Sequence, residues 1–196
     1  MSLQPYSAYR QAVTKTVRRI VIATLCWMAV GGEPNAYGSS PTSPEYLIKA
    51  AYIYNFAMFV EWPVDAFPQE SSPIVIGIIG TDPFGPAIDQ TVRDKRIDKR
   101  PLLIKRLQWG QDFRECHVLF ISSSETGRSG DVLHQLRNFP ILVVAESEGL
   151  SKQGAIINFF VEDNRVHYEI NLDAARRAHL RISSKLLNLA KVTKGS

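Results

Sequence analysis

The sequence predicts an α/β fold: a mostly parallel sheet flanked by helices, with a C-terminal antiparallel β-hairpin and terminal helices. Three observations carry that prediction. Apolar runs rich in β-branched residues recur without polar alternation (PIVIGIIG, HVLFIS and ILVVA), as in strands covered on both faces. Helical stretches separate two of these gaps, in the order β-α-β-β-α-β that favours parallel pairing. Finally, AIINFFVED and RVHYEIN flank the tight pair Asp163-Asn164, the pattern of a hairpin.

Taken along the chain, Ser39 to Pro44 (SSPTSP) reads as a linker too polar and proline-rich to pack. Ser43 then caps a helix beginning near Pro44 and Glu45, because its hydroxyl accepts the free amides of the first turn. At 100° per residue, Glu45, Lys49 and Tyr52 form one narrow polar stripe. Nearly everything else around the wheel is apolar or aromatic, so this helix is expected to be buried on most sides until Pro63 ends it. The first strand is Pro73 to Gly80, followed by a turn and short helix in TDPFGPAIDQTVRDK. RPLLIKRL (Arg100 to Leu107), HVLFIS (His117 to Ser122) and ILVVA (Ile141 to Ala145) supply the next three strands. A helix from Ser129 through Asn138 joins the last two. In the hairpin, Val166, Tyr168 and Ile170 alternate with Arg165, His167 and Glu169, which predicts one covered face and one wet face. LDAARRAHL and SSKLLNLAKV are read as helical pieces.

Hydrophobic content of 45% against 21% charge excludes wholesale disorder, and 196 residues suit a single domain. The formal charge of +4 is concentrated at the N-terminus. Residues 1–38 contain Arg10, Lys15, Arg18 and Arg19 against Glu33, leaving 19 basic and 18 acidic residues beyond them. That near-balance argues against a nucleic-acid partner. Residues 1–38 themselves read as an export signal: a basic n-region, the apolar run Ile20 to Val30, and small residues Ala36 and Gly38 before a cleavage site. The apolar run is short of the ~20 residues that span a bilayer, so the mature chain is not expected to cross a membrane. The expected organisation is a signal peptide over 1–38, a linker over 39–44, one domain over 45–192 and a tail over 193–196. Once Cys26 leaves with the signal, Cys116 cannot form an internal disulfide, and its surroundings read as a buried thiol at a strand start.

No catalytic constellation emerges. Histidines 117, 134, 167 and 179 have no metal-ligand spacing, and GRSG lacks one residue of a nucleophile elbow. His117 and Cys116 are strand neighbours pointing to opposite faces, a poor arrangement for a thiolate–imidazole pair. GIIGTDPFG is neither a P-loop nor a dinucleotide fingerprint; its glycines ease a βα turn. The expectation is therefore no enzyme, no cofactor and no metal. Open α/β sheets bind ligands beyond the carboxyl ends of their strands, which makes Thr81, Asp82, Ser122, Ser123 and Glu146 the candidate edge for a small polar ligand. Arg93 to Arg106, with seven basic and two acidic residues, reads as a charged edge strand.

Two segments together resemble the YfiR-like family of periplasmic proteins. One is IKAAYIYNFAMFVEWP, closing on Phe59, Glu61, Trp62 and Pro63. The other is GAIINFFVEDNRVHYEINLDAARRAHLRISSKLLNLAKV, with Gly154, Ile157, Asn158, Phe159, Glu169, Ile170, Asn171, Ala174, Ala175 and the run Ile182 to Leu187. GIIGTDPFG and KRPLLIKRL fall between them where the family has similar segments. The resemblance implies a non-enzymatic, exported α/β domain that binds and represses the periplasmic sensory domain of a membrane diguanylate cyclase, lowering cyclic di-GMP signalling and biofilm formation. It implies that cyclase domain as partner, with a homodimer as a further association, and transfers no catalytic residues. Exposed parts of the terminal helices, around Arg176, Arg177, Arg181 and Lys185, are the expected partner surface. The alternative is a periplasmic small-molecule-binding sensor module using the strand-end groups; a hydrolase using Ser122 to Ser124 ranks third.

Overall fold

A computed structural model describes residues 42–193; the expected signal peptide lies outside them. Helix α1 (Pro44–Phe59) begins where Ser43 accepts the Glu45 amide, with Pro44 in the first turn. It stops four residues short of Pro63. Val60–Glu61 (β1) leaves the helix as extended backbone because it pairs antiparallel with Arg181–Ile182 (β9), a partner 120 residues away that no local pattern announces.

Among the described residues the main sheet has eight strands in the order β10-β8-β7-β6-β5-β2-β4-β3. Strand β2 (Ile74–Ile79) lies inside it, parallel to β4 (Arg100–Leu107) on one side and to β5 (Val118–Ile121) on the other. β6 (Leu142–Ala145) and β7 (Ile157–Glu162) continue the parallel run. The chain thus winds one way from β2 through helix α2 (Pro86–Val92) to β4, then back to β5. That reversal is the switch point of a doubly wound sheet. β8 (Arg165–Asn171) returns antiparallel to β7 through Asp163 and Asn164, both with positive φ (49° and 59°), the two-residue turn the sequence predicts.

Several elements depart from the sequence reading at its edges. The basic run closes its own small hairpin, β3 (Arg96–Ile97) on β4, through Asp98 at φ 53°. Helix α3 (Ser129–Leu136) ends two residues before Asn138, and α4 (Leu150–Gln153) is an unforeseen single turn. Helix α5 (Leu172–Arg177) forms as expected. SSKLLNLAKV, by contrast, yields only one turn, α6 (Ser184–Leu187), before Lys191–Thr193 (β10) joins the sheet parallel to β8. Thr193 sits in that strand, its hydroxyl 2.8 Å from that of Ser151, and Thr42 of the expected linker donates to the Phe84 carbonyl.

Two cores follow from the two faces. Beneath α1 the core is aromatic: Phe56 lies edge-on to Tyr168 and tilted against Phe159, and Phe84 meets Phe120 edge-on. Burying rings of this size contributes on the order of 2–3 kcal/mol each. Beneath α3 the core is aliphatic, built from Leu119, Ile121, Val132, Leu133 and Val143 with Cys116.

Helix α1 is rotated from the orientation its wheel suggests. The polar stripe turns inward, with Lys49 4% exposed, whereas Leu47 and Ile48 are 51% and 48% exposed, and Ala51 and Met58 also face outward. A helix expected to be covered on most sides keeps an uncharged outer face, because a buried acid meets its lysine.

Candidate functional site

The strand-end edge brings together all five residues expected there, Asp82, Ser122 and Glu146 engaged through their side chains and Thr81 and Ser123 through their amides. Gly80, with φ 93°, turns the chain out of β2; a Cβ there would approach Ser124 Oγ to 2.5 Å and Glu125 Cγ to 2.6 Å. Thr81 donates its amide to Ser124 Oγ at 2.9 Å, and Ser122 Oγ accepts the Ser124 amide. Asp82 caps the Phe84 amide with one oxygen and takes Arg106 Nε at 2.7 Å with the other. The Ser122–Glu125 turn therefore sits in the crevice of the switch point. Thr81 and Ser123 engage through their amides and remain exposed, while Ser122 is buried.

Glu146, at the carboxyl end of β6, is more deeply committed. Its side chain is 2% exposed and receives Lys49 Nζ at 2.7 Å, while Oε1 accepts the Ser123 amide at 3.0 Å and the Tyr46 hydroxyl at 3.4 Å. Glu45, one turn before Lys49, adds a second carboxylate at 2.5 Å. Burial, the largest influence on Lys49, pulls its pKa down, but the hydrogen bonds to Glu146 and Glu45 outweigh it and the net shift is upward. Burial and the adjacent Glu146 both push the Tyr46 phenol up. The cluster fastens α1 across the strand ends, and its charges face one another rather than an open site.

The amino end of the sheet has a neutral counterpart. His117 Nδ1 accepts the Val75 amide at 3.1 Å and Nε2 lies 3.2 Å from the Ala66 carbonyl, which sets the proton on Nε2. The ring stacks on Phe67 at 4.3 Å, and the Arg100 guanidinium lies 3.7 Å from the Phe67 centroid. Burial, with Arg100 nearby, holds His117 below its ordinary pKa. Its neighbour Cys116 points to the other face, into space left by Gly77: a Cβ on Gly77 would meet Sγ at 2.6 Å. Burial pushes this thiol up to about 11, so it is an inert core group. Among the described residues no group of three His, Cys, Asp or Glu could hold a metal.

The four expected partner residues have different surroundings. Arg176 is exposed and pairs with Asp173 at 3.3 Å; Arg181 reaches Glu61 at 3.4 Å across the β1–β9 ladder. Lys185 lies over the Phe59 ring at 5.1 Å, at the C-terminal end of α1, and Arg177 lines a separate cavity. Sequence reasoning missed the outer face of α1, flanked by Lys185 and by Lys95, whose ammonium lies 4.2 Å from the Tyr54 centroid. The clue available was that the only charged residues of the helix share one stripe; a charged stripe can turn inward when a distant partner of opposite sign exists.

The two end segments noted in the sequence meet in space. β1 pairs with β9, the Ser183 amide donates to the Phe59 carbonyl at 3.0 Å, and Trp62 Nε1 donates to the His117 carbonyl at 3.3 Å. Asn171 caps α5 through the Ala174 amide and donates to the Ser151 carbonyl at 2.7 Å. Tyr168 donates to the Leu186 carbonyl at 3.0 Å. These residues tie the termini of the domain together. Compared with known proteins, residues 46–191 match the family model described as YfiR/HmsC-like. No curated protein matches the chain. No helix among the described residues is long and apolar enough to cross a membrane.

Proposed function

Because the chain belongs to the YfiR/HmsC-like family, one of regulatory rather than catalytic proteins, we propose that it is a periplasmic repressor. In this reading it binds the periplasmic sensor domain of a membrane diguanylate cyclase, lowers cyclic di-GMP signalling and restrains biofilm formation. The observation that carries it is the family match over 46–191, which takes in every strand of the main sheet except the last two residues of β10. The ion pairs that already hold Glu146 and Asp82 at the strand ends favour it over a small-molecule module seated there.

The contact surface in this reading is the outer face of α1, with Leu47, Ile48, Ala51 and Met58, bordered by Lys95, Lys185 and Arg181. An apolar strip edged by cations complements a partner segment that is apolar with acidic margins. Repression then works by population shift: the protein binds the cyclase's inactive state better than its active one. Deleting the protein should raise cellular cyclic di-GMP, and a cyclase with a periplasmic segment should co-purify with it. Ala51→Glu, on the exposed face, should lose that cyclase while the domain melts as before. Reversing the charge of Arg176, Arg177, Arg181 and Lys185 together should weaken capture. Unchanged cyclic di-GMP in the deletion strain would remove the reading.

A further inference from the structure

Most cations of the described domain have an evident local role. Lys49, Lys99, Lys105, Arg106, Arg114, Arg176 and Arg181 are in ion pairs. Lys95, Arg100, Arg128, Lys185 and Lys191 lie over aromatic rings, and Arg96 donates to the Lys99 carbonyl. Among the described residues, that leaves Arg93, Arg137, Lys152, Arg165 and Arg177 without such a partner. Three of these five, Arg137, Lys152 and Arg177, line a single cavity of about 420 Å³ together with His134.

They arrive there from three separate elements. His134 and Arg137 come from the end of α3, Lys152 from α4, and Arg177 from the last residue of α5. No aspartate or glutamate lines the cavity, and its apolar floor is Leu133 and Ala174, both buried. The nearest acid in sequence to Arg177, Asp173, is taken by Arg176. Like charges gathered around one space repel unless something of opposite sign neutralises them. The near-balance of charge beyond residue 38 shows that the cluster does not reflect general basicity. Gly130 adds an independent observation. It lies in a helix without a positive φ, and a Cβ there would meet only Gln153 Oε1, at 3.7 Å. The fold has room for a side chain at that position in the first turn of α3, and its absence keeps the cavity wall low.

We infer that this cavity is a binding site for a small, multiply charged anion bearing phosphate or carboxylate groups. Guanidinium forks from Arg137 and Arg177 and the ammonium of Lys152 supply charge-assisted donors, and the volume suits a small ligand rather than a polymer. This places a small-molecule site away from the strand ends, on a surface distinct from the outer face of α1. It stands independently of the cyclase reading.

The test is calorimetric titration of the purified protein with pyrophosphate and, separately, with citrate at low ionic strength. Binding of either supports the site, and the stronger probe identifies the preferred group. Arg137→Gln/Arg177→Gln should weaken binding by about tenfold or more. The charge-matched control, Arg93→Gln/Arg165→Gln, removes two equally unpartnered cations elsewhere and should leave it nearly unchanged. Gly130→Leu, which alters no charge, should also block binding while leaving the unliganded melting temperature unchanged or higher. Failure of both probes to bind overturns the proposal, as does equal weakening in the two double variants.

Discussion

At the carboxyl end of the sheet a buried lysine and glutamate hold α1 in place as a charged pair; at the amino end a buried histidine holds the Val64–Ala66 turn as a neutral ring. Both anchors bridge segments far apart in sequence, yet they answer desolvation differently. Lys49 keeps its charge because two carboxylates surround it. His117 gives up its charge because a backbone amide points at one nitrogen and a carbonyl at the other, with only the Arg100 cation nearby. The contrast teaches that a buried titratable group is decided by what faces it, not by its depth.

The largest expected effect comes from breaking the charged anchor on one side only. Lys49→Met or Glu146→Gln should each cost about 3–5 kcal/mol in urea unfolding, because each strands a buried charge or polar group. Lys49→Met with Glu146→Leu should cost less than either single change, since neither charge is then left behind. A double variant as damaging as the sum of the singles would show that the pair is not the anchor.

Breaking the neutral anchor should cost less. His117→Ala removes an acceptor from Val75 and a donor to Ala66, a loss of about 2 kcal/mol by the same measurement. His117→Asn, which keeps an acceptor near the Val75 amide, should fall between the two.

The anchors should also respond to pH with opposite sign. His117 is depressed when folded, so its contribution is present above the ordinary value of 6.5 and is lost as pH falls through the folded value. Lys49 is raised, so its contribution is present below 10.5 and is lost as pH rises through the folded value. Melting curves should weaken on the acid side for the wild type and lose that dependence in His117→Asn. An unchanged acid limb in that variant would assign it to other groups.

The smallest effect sharpens the comparison at Cys116, the neighbour of His117 on the opposite face. With its thiol raised to about 11 from an ordinary 9.0, its contribution holds below pH 9.0 and fades as pH rises through about 11. An aromatic disulfide reagent should leave native protein unlabelled at neutral pH and label one thiol in the domain only on unfolding. Fast labelling of the native domain would mean that Gly77 and Leu119 do not enclose the sulfur.

Much of the fold was legible because local chemistry dictated it. Ser43-Pro44 starts α1, Asp163-Asn164 turns the hairpin, and Ile74 to Ile79 form a strand covered on both faces. The candidate site was legible only as a set of names. Thr81, Asp82, Ser122, Ser123 and Glu146 do gather at one edge, as parallel strands require, but their partners Ser124, Arg106 and Lys49 are set by contacts across the sheet. Short elements such as β1, β9 and β10 escaped notice because two or three residues carry no periodicity.

The sequence by itself determined the α/β class, the buried central strands and the hairpin turn, since each is written in runs of neighbouring residues, whereas the enclosure of Cys116 needed Gly77 from another strand. Tertiary structure decided which side of α1 faces outward, which segments near the two ends of the described domain meet, and which cations gather around the cavity at Arg137, Lys152 and Arg177. Those outcomes depend on pairing across tens of residues, where a charge finds its partner only after the strands have set their order.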